Sequence, residues 1–427
     1  MRQHAVVAFA AAAVLVVGAA CNSGSGANKT VKLGIELPQS GNELANGEPT
    51  KNGVLLAIKQ ANAKNLIPGY TIDNNNQDDA VNGAHDTDKG RANMATLVSD
   101  AAVMGVVGPF NSSVARAEIP VSNEAGLAQC SPANTGIDLT QAGSDVYRFN
   151  GQATRNYFRV AAPDNIQGPA MADFDYTDLG KHSAYIMDDT EAFGKGVADQ
   201  FEAEFIRLGG TVVDAGAARA SVPKSTTDYT PFFTAAAALH PDVVFFGGTQ
   251  VTGGGLARKQ MVAAGMGAIP FTGPDGIADR GTGGSEGAFI TLAGVENSND
   301  VYGSVAGVHD LPAGSTFADD YKKEFGKDPG AYSALAYSCA QVILKAMADT
   351  AAAANGDMAK WRTAVDTYIF DANTHHTYDT VMGTISFNSC GDIEQPFISF
   401  YKVDPALNDG KGGWTYIKQQ AFQPSGC

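Results

Sequence analysis

Charge is scarce in this 427-residue chain: 17% of residues are Asp, Glu, Lys or Arg, against a typical ~25%. Cations are scarcer still, 29 Lys and Arg against 45 Asp and Glu, for a net charge of −16. The basic footprint of a nucleic-acid binder, or of a protein held electrostatically on anionic lipid, is therefore missing. No second long apolar run follows the one at the N-terminus, which excludes a protein of several membrane spans. HExxH, GxGxxG and the phosphate loop GxxxxGK followed by Ser or Thr are all absent. None of the five cysteines stands at CxxC spacing, so a zinc site is not expected. With no visible nucleophile–base pair or ligand set, we expect no catalytic residues, no cofactor and no metal. An apolar content of 44% excludes disorder, and the length fits two domains or three.

The first segment reads as an address. Arg2 and His4 precede a 13-residue apolar run over 5–17, too short for the ~20 residues of a membrane-spanning helix. Gly18, Ala19 and Ala20 then lead into Cys21, so residues 1–20 read as a signal peptide. The junction resembles a bacterial lipobox, which makes Cys21 the expected lipidation site. Residues 21–30 form a Gly/Ser-rich tether to the membrane. The remaining cysteines, Cys130, Cys339, Cys390 and Cys427, are even in number and fit disulfides in an oxidising compartment, with three pairings open.

Along the mature chain, short apolar strands alternate with helices. Strands are predicted at 31–37 (VKLGIEL), 70–73, 102–107 (AVMGVV) and 127–130, with helices over 53–62, 91–99 and 112–125. The pattern restarts with strands at 182–187, 212–214, 242–246 (DVVFF) and 270–272, and helices over 229–239 and 256–264. Phe193, Val197, Phe201 and Phe205 form one apolar helical stripe. Helices close the pattern near 317–325, 332–352 and 358–370. Alternation of this kind predicts an α/β fold of two Rossmann-like, doubly wound lobes. The Gly-rich turn at 247–255 reads as an ordinary βα connection, His375–His376 as solvated surface, and 73–79 (DNNNQDD) as a loop.

Three loops carry chemistry, each at the carboxyl end of a strand, where open α/β sheets bind ligands. Residues 108–113 (GPFNSS) open a helix, so Asn111, Ser112 and Ser113 can meet an anion with free backbone N–H groups. Residues 131–135 (SPANT) follow the next strand. Residues 273–276 (GPDG) place Asp275 in a turn.

In this order and spacing the loops resemble those of the leucine/isoleucine/valine-binding proteins, type I periplasmic ligand-binding components of ABC importers. The likeness runs from VKLGIELPQSG to DTVMG at 379–383 and the last strands. It implies two lobes joined by three hinge crossings near 161–162, 307–308 and 385–388. Lobe 1 would then be 31–161 with 308–386, and lobe 2 would be 162–307 with 387–427. Since a moving hinge is poorly served by a bond across it, the lobes imply the pairs Cys130–Cys339 and Cys390–Cys427. The resemblance further implies that residues 111–113 grip a ligand α-carboxylate. The Ala133 carbonyl and Thr135 hydroxyl would receive the α-ammonium, and Asp275 would pair with it. Asn46, Phe193 and Thr249 stand where relatives often carry pocket tyrosines, and Tyr332 matches another pocket aromatic. These changes make the pocket more polar or roomier. The expected function is a monomeric, extracytoplasmic, lipid-anchored receptor that binds an amino acid, branched-chain or otherwise small, and delivers it to an ABC permease. The alternatives are a same-fold receptor for amides, urea, short carboxylates or aromatic acids, and a sensory ligand-binding module.

Overall fold

The computed structural model describes Met1 and residues 29–148, 155–213, 219–280, 288–371 and 374–427. The leader, Cys21 and most of the tether lie outside the described residues. Among those described, no helix is long and apolar enough to cross a membrane.

The first sheet is built from Lys29–Leu37 (β1), Tyr70–Asp78 (β2), Val103–Val107 (β5), Gln129–Ser131 (β6) and Tyr157–Arg159 (β7). A small hairpin, Ala80–Val81 (β3) and Ala84–His85 (β4), lies between β2 and β5. The sheet order β2-β1-β5-β6-β7 is wholly parallel. Every residue of central β5 is buried, as its unbroken VMGVV run requires of a strand covered on both faces. Gly105 admits the covering helix Ser333–Ala354, because a Cβ there would lie 2.6 Å from Ile343 Cγ2. Cys130 in β6 is bonded to Cys339 in that helix, with Cα atoms 5.6 Å apart. β2 extends beyond the predicted 70–73, and the polar run 73–78, expected to be a loop, is part of it. Its pairing with β1, Asp73 opposite Lys32 through Asp78 opposite Leu37, outweighs the low strand propensity of Asn and Asp.

The second sheet contains Ser183–Asp188 (β8), Thr211–Val212 (β9), Ala220–Ser221 (β10), Val243–Gly247 (β11), Phe271–Gly273 (β12) and Val301–Val305 (β13). Tyr378–Thr380 (β14) and Gly383–Ile385 (β15) form a separate hairpin. Phe397–Asp404 (β16) and Gly413–Ala421 (β17) complete the second sheet. Its order is β10-β8-β11-β12-β13-β16-β17, with β9 beside β8. Pairing is parallel up to β13 and antiparallel after it. The stripe on Ala192–Arg207 packs as its spacing demands: Val197, Phe201 and Phe205 are buried, and Phe201 stacks on Phe245 of β11 at 3.9 Å between ring centroids. Phe193, at the start of the stripe, is only half-buried and turns to the cavity described below.

The chain passes between the two bodies after β7, after β13, and between β15 and β16. The three passages lie side by side. Ala162 N donates to Ala306 O at 3.1 Å, Arg159 N to Gly391 O at 2.9 Å, and the Ser399 hydroxyl to Gly307 O at 2.8 Å. Cys390 is bonded to Cys427 next to the third passage. Helix Asp164–Asp173 follows the first passage and was not legible in the sequence, because Pro169 and its polar residues blur the apolar period.

Candidate ligand site between the two bodies

A cavity lies where the carboxyl ends of β5, β6, β8, β11 and β12 converge. Its first wall is the loop after β5. Gly108 has φ +136°, and a Cβ there would lie 1.9 Å from Glu36 O, so only glycine makes this turn. The turn delivers Asn111 as the N-cap of helix Ser112–Glu124, with extended backbone and no side-chain cap bond. The first-turn amides, which have no intrahelical carbonyl to bond, therefore keep their donor capacity beside the cavity. Asn111, Ser112 and Ser113 all line it.

The loop after β6 is braced against this one. Ser131 Oγ donates to Pro109 O at 2.7 Å and accepts Asn134 N at 2.8 Å, while Asn134 Nδ2 donates to Phe110 O at 2.7 Å. From behind, the buried Arg159 guanidinium donates to Gly136 O at 2.7 Å and to the Asp392 carboxylate at 2.7 Å. Asp392 also accepts from the Thr140 hydroxyl, the Gln141 amide and the Ser425 hydroxyl. An ion pair this deep is tolerable because nearly every donor and lone pair is used. Ala133 consequently reaches the cavity wall.

Asp275 enters from the turn after β12 and is 2% exposed. Burial pushes its carboxyl up to about 7, partly offset by hydrogen bonding from the Tyr332 hydroxyl. That hydroxyl also lies 3.1 Å from Asp275 O, and its ring meets Phe110 edge-on at 4.6 Å. A buried carboxylate opposite a helix N-terminus can hold a small zwitterion, meeting the cation with charge and the anion with fixed dipoles.

Eight of the ten residues read from the sequence line this one cavity: Asn111, Ser112, Ser113, Ala133, Phe193, Thr249, Asp275 and Tyr332. Two do not. Thr135 is buried behind the wall, where its carbonyl accepts Asp164 N at 2.8 Å and its hydroxyl faces the Asp164 carboxyl. Asn46 is buried within helix Leu44–Ala63, its carbonyl accepting the Thr50 hydroxyl at 2.6 Å. That helix begins well before the predicted residue 53, so Asn46 lies in its first turn. Thr249 caps a turn, accepting Thr252 N at 3.1 Å.

The sequence reading missed His85, Asp189, Glu191 and Thr252, which also line the cavity. His85 arrives on the β3–β4 hairpin. The Asn82-Gly83 turn, with φ of 53° and 88°, is a strong hairpin signal that could have flagged it. His85 Nδ1 lies 2.8 Å from Glu43 Oε1, and Nε2 lies 3.8 Å from Glu191 Oε2. Glu191 in turn lies 3.1 Å from Lys224 Nζ. Burial opposes a charged ring, yet the Glu191 and Glu43 carboxylates outweigh it and raise His85 to about 9. The neighbouring His85 ring, with the Lys224 ammonium and against some burial, holds Glu191 down at about 2. Asp189, raised to about 7 by burial, accepts from the Thr252 hydroxyl at 2.5 Å and Glu191 N at 2.9 Å. His375 and His376 lie elsewhere, His375 on Glu394 at 2.9 Å and His376 stacked on Tyr368.

A family model described as a periplasmic binding protein matches residues 30–404. A Leu/Ile/Val-binding protein homolog of Brucella melitensis is 27% identical over 387 residues, covering 91% of this chain and 94% of that protein. Among solved structures, the branched-chain amino acid transporter substrate binding protein of Streptococcus pneumoniae, in complex with isoleucine, superposes with a TM-score of 0.72 at 20% identity. It covers 93% of this chain and 100% of its own. A solute binding protein of an ABC transporter from R. palustris, in complex with 4-hydroxybenzoate, superposes at 0.73 with 17% identity, covering 93% of this chain and 98% of that one.

Proposed function

Because the chain belongs to the periplasmic binding protein family, we propose that it is an extracytoplasmic substrate-binding receptor that delivers an amino acid to an ABC permease. The observation that carries this reading is the presence, in one cavity between two α/β bodies, of a helix N-terminus at Asn111–Ser113 and a buried carboxyl at Asp275. The amides of that helix turn bind the α-carboxylate. Asp275 and the Ala133 carbonyl receive the α-ammonium. Phe193, Thr249 and Tyr332 surround the side chain. The lobes, 31–161 with 308–386 and 162–307 with 387–427, close on the ligand, and the permease reads the closed form. Chemistry at the ligand is not required. Cys21, once lipidated, keeps this monomeric receptor at the membrane.

The test is a thermal-shift screen of protein that has been unfolded and refolded to remove retained ligand. The common L-amino acids, acetamide, urea, short carboxylates and benzoates are compared. Ligand at 100 times its dissociation constant adds ~2.7 kcal/mol, a shift of a few degrees. Stabilisation by amino acids supports the proposal. Stabilisation only by acids or amides without an ammonium group refutes the amino-acid assignment and leaves a receptor for another cargo.

A further inference from the structure

The cavity holds a second polar cluster that the zwitterion clamp does not use. Glu43 and His85 come from the first body, and Glu191 and Lys224 from the second, in a line of alternating sign. Two anions and two cations leave no net charge for a charged ligand group to neutralise. The line is nevertheless strongly polar, and two of its members, His85 and Glu191, face the cavity. His85 is 4% exposed. Its Nδ1 is committed to Glu43 at 2.8 Å, while Nε2 stands 3.8 Å from Glu191, beyond normal hydrogen-bond length. One donor and one acceptor therefore keep bonding capacity, side by side, on opposite bodies. Asp189 also lines the cavity, and each of its oxygens already accepts one bond, from the Thr252 hydroxyl and from the Glu191 amide.

We infer that His85 and Glu191 select the ligand's side chain, and that this side chain is a neutral carboxamide rather than an aliphatic group. The inference rests on the amino-acid reading above and narrows it. A carboxamide oxygen accepts from His85 Nε2–H while its NH2 group donates to the Glu191 carboxylate, so both bodies are bridged through the ligand. The ionic states suit these roles, because His85 carries its proton and Glu191 does not at neutral pH. A leucine or isoleucine side chain would strip water from both groups and return no hydrogen bond. A site built around hydrogen bonds discriminates strongly against analogues that lack them.

The experiment is isothermal titration of the refolded protein with glutamine, asparagine, leucine, isoleucine and alanine, repeated for His85→Leu and Glu191→Leu. The expected result is that glutamine or asparagine binds at least tenfold tighter than leucine and isoleucine. Either substitution should narrow or reverse that preference. Equal or tighter binding of leucine and isoleucine by the unsubstituted protein overturns the inference while leaving the amino-acid receptor intact, and that arm needs no variant to fold. A loss shared equally by all five ligands also overturns it, making the pair an interlobe tie only. Binding of none of the five, with a benzoate bound instead, removes the amino-acid reading and this inference together.

Discussion

Replacing Asp275 with Asn isolates the charge on which the proposed clamp depends. The side chain is 2% exposed, so an ammonium brought to it would be screened by little water. At about 3 Å and an effective dielectric of ~20, the gross attraction is about 5 kcal/mol. Burial places the free carboxyl at about 7. At neutral pH it is therefore about half protonated, and ionising it for the ligand costs only ~0.4 kcal/mol. The expected net loss is that of breaking a buried pair, about 3–5 kcal/mol, or a dissociation constant raised ~10²–10³-fold. Isothermal titration at pH 8 with the amino acid identified by screening measures this directly. The ligand-free variant should show the opposite trend in stability. A carboxyl whose folded-state value is raised from 3.8 to about 7 contributes stability that is lost as pH rises between those values. Above pH 7 the Asn variant should therefore melt higher than the parent. A change in affinity below threefold would show that Asp275 does not meet the ligand's charge. A variant that melts lower at pH 8 would refute the assigned burial penalty.

Two further outcomes follow from groups outside the cavity. Glu118 shares a buried site with Glu36 and Asp79, and burial holds Glu36 near 7 and the other two well above their ordinary values. The stability these groups contribute is complete below about pH 4 and is lost as pH rises through 7 and beyond. Glu118→Gln keeps an acceptor for Gln129 and should raise the melting temperature at pH 8 but not at pH 4, as calorimetry would show; a variant that melts lower at pH 8 contradicts this. Asp392→Asn strips the counter-charge from the buried Arg159 and should cost about 3–5 kcal/mol. Because Arg159 also holds Gly136 O, the loop bearing Ala133 should loosen and ligand affinity should fall with stability. An unchanged melting temperature would mean that the pair is dispensable.

Much of the molecule was legible because its signals are local. The VMGVV and DVVFF runs announced central strands, and the four-residue apolar spacing on Ala192–Arg207 announced the helix that covers β11. That three loops meet at one cavity was legible for the same reason: each sits at a strand end, and strand ends in parallel sheets point to one side of the sheet. The polar residues 73–78 misled, because a strand edge is settled by the neighbour it pairs with and not by its own composition. Asn46 and Thr135 stand apart from the other eight. A matching position in a family pattern does not specify which way a helix or loop turns its side chains, and here both side chains are buried off the cavity wall.

The sequence alone carried the α/β alternation, the even cysteine set and the strand-end loops at 108–113, 131–135 and 273–276. These depend on periodicity and on which residue types stand next to one another. Tertiary structure decided which residues meet across great distances in the chain. It joined Cys130 to Cys339 across 209 residues, set Arg159 on Asp392, and brought His85 and Glu191 to face one cavity from two bodies. No local pattern encodes such meetings. They arise when two sheets are held side by side by three passages of the chain, and the polarity of the site is a product of that arrangement.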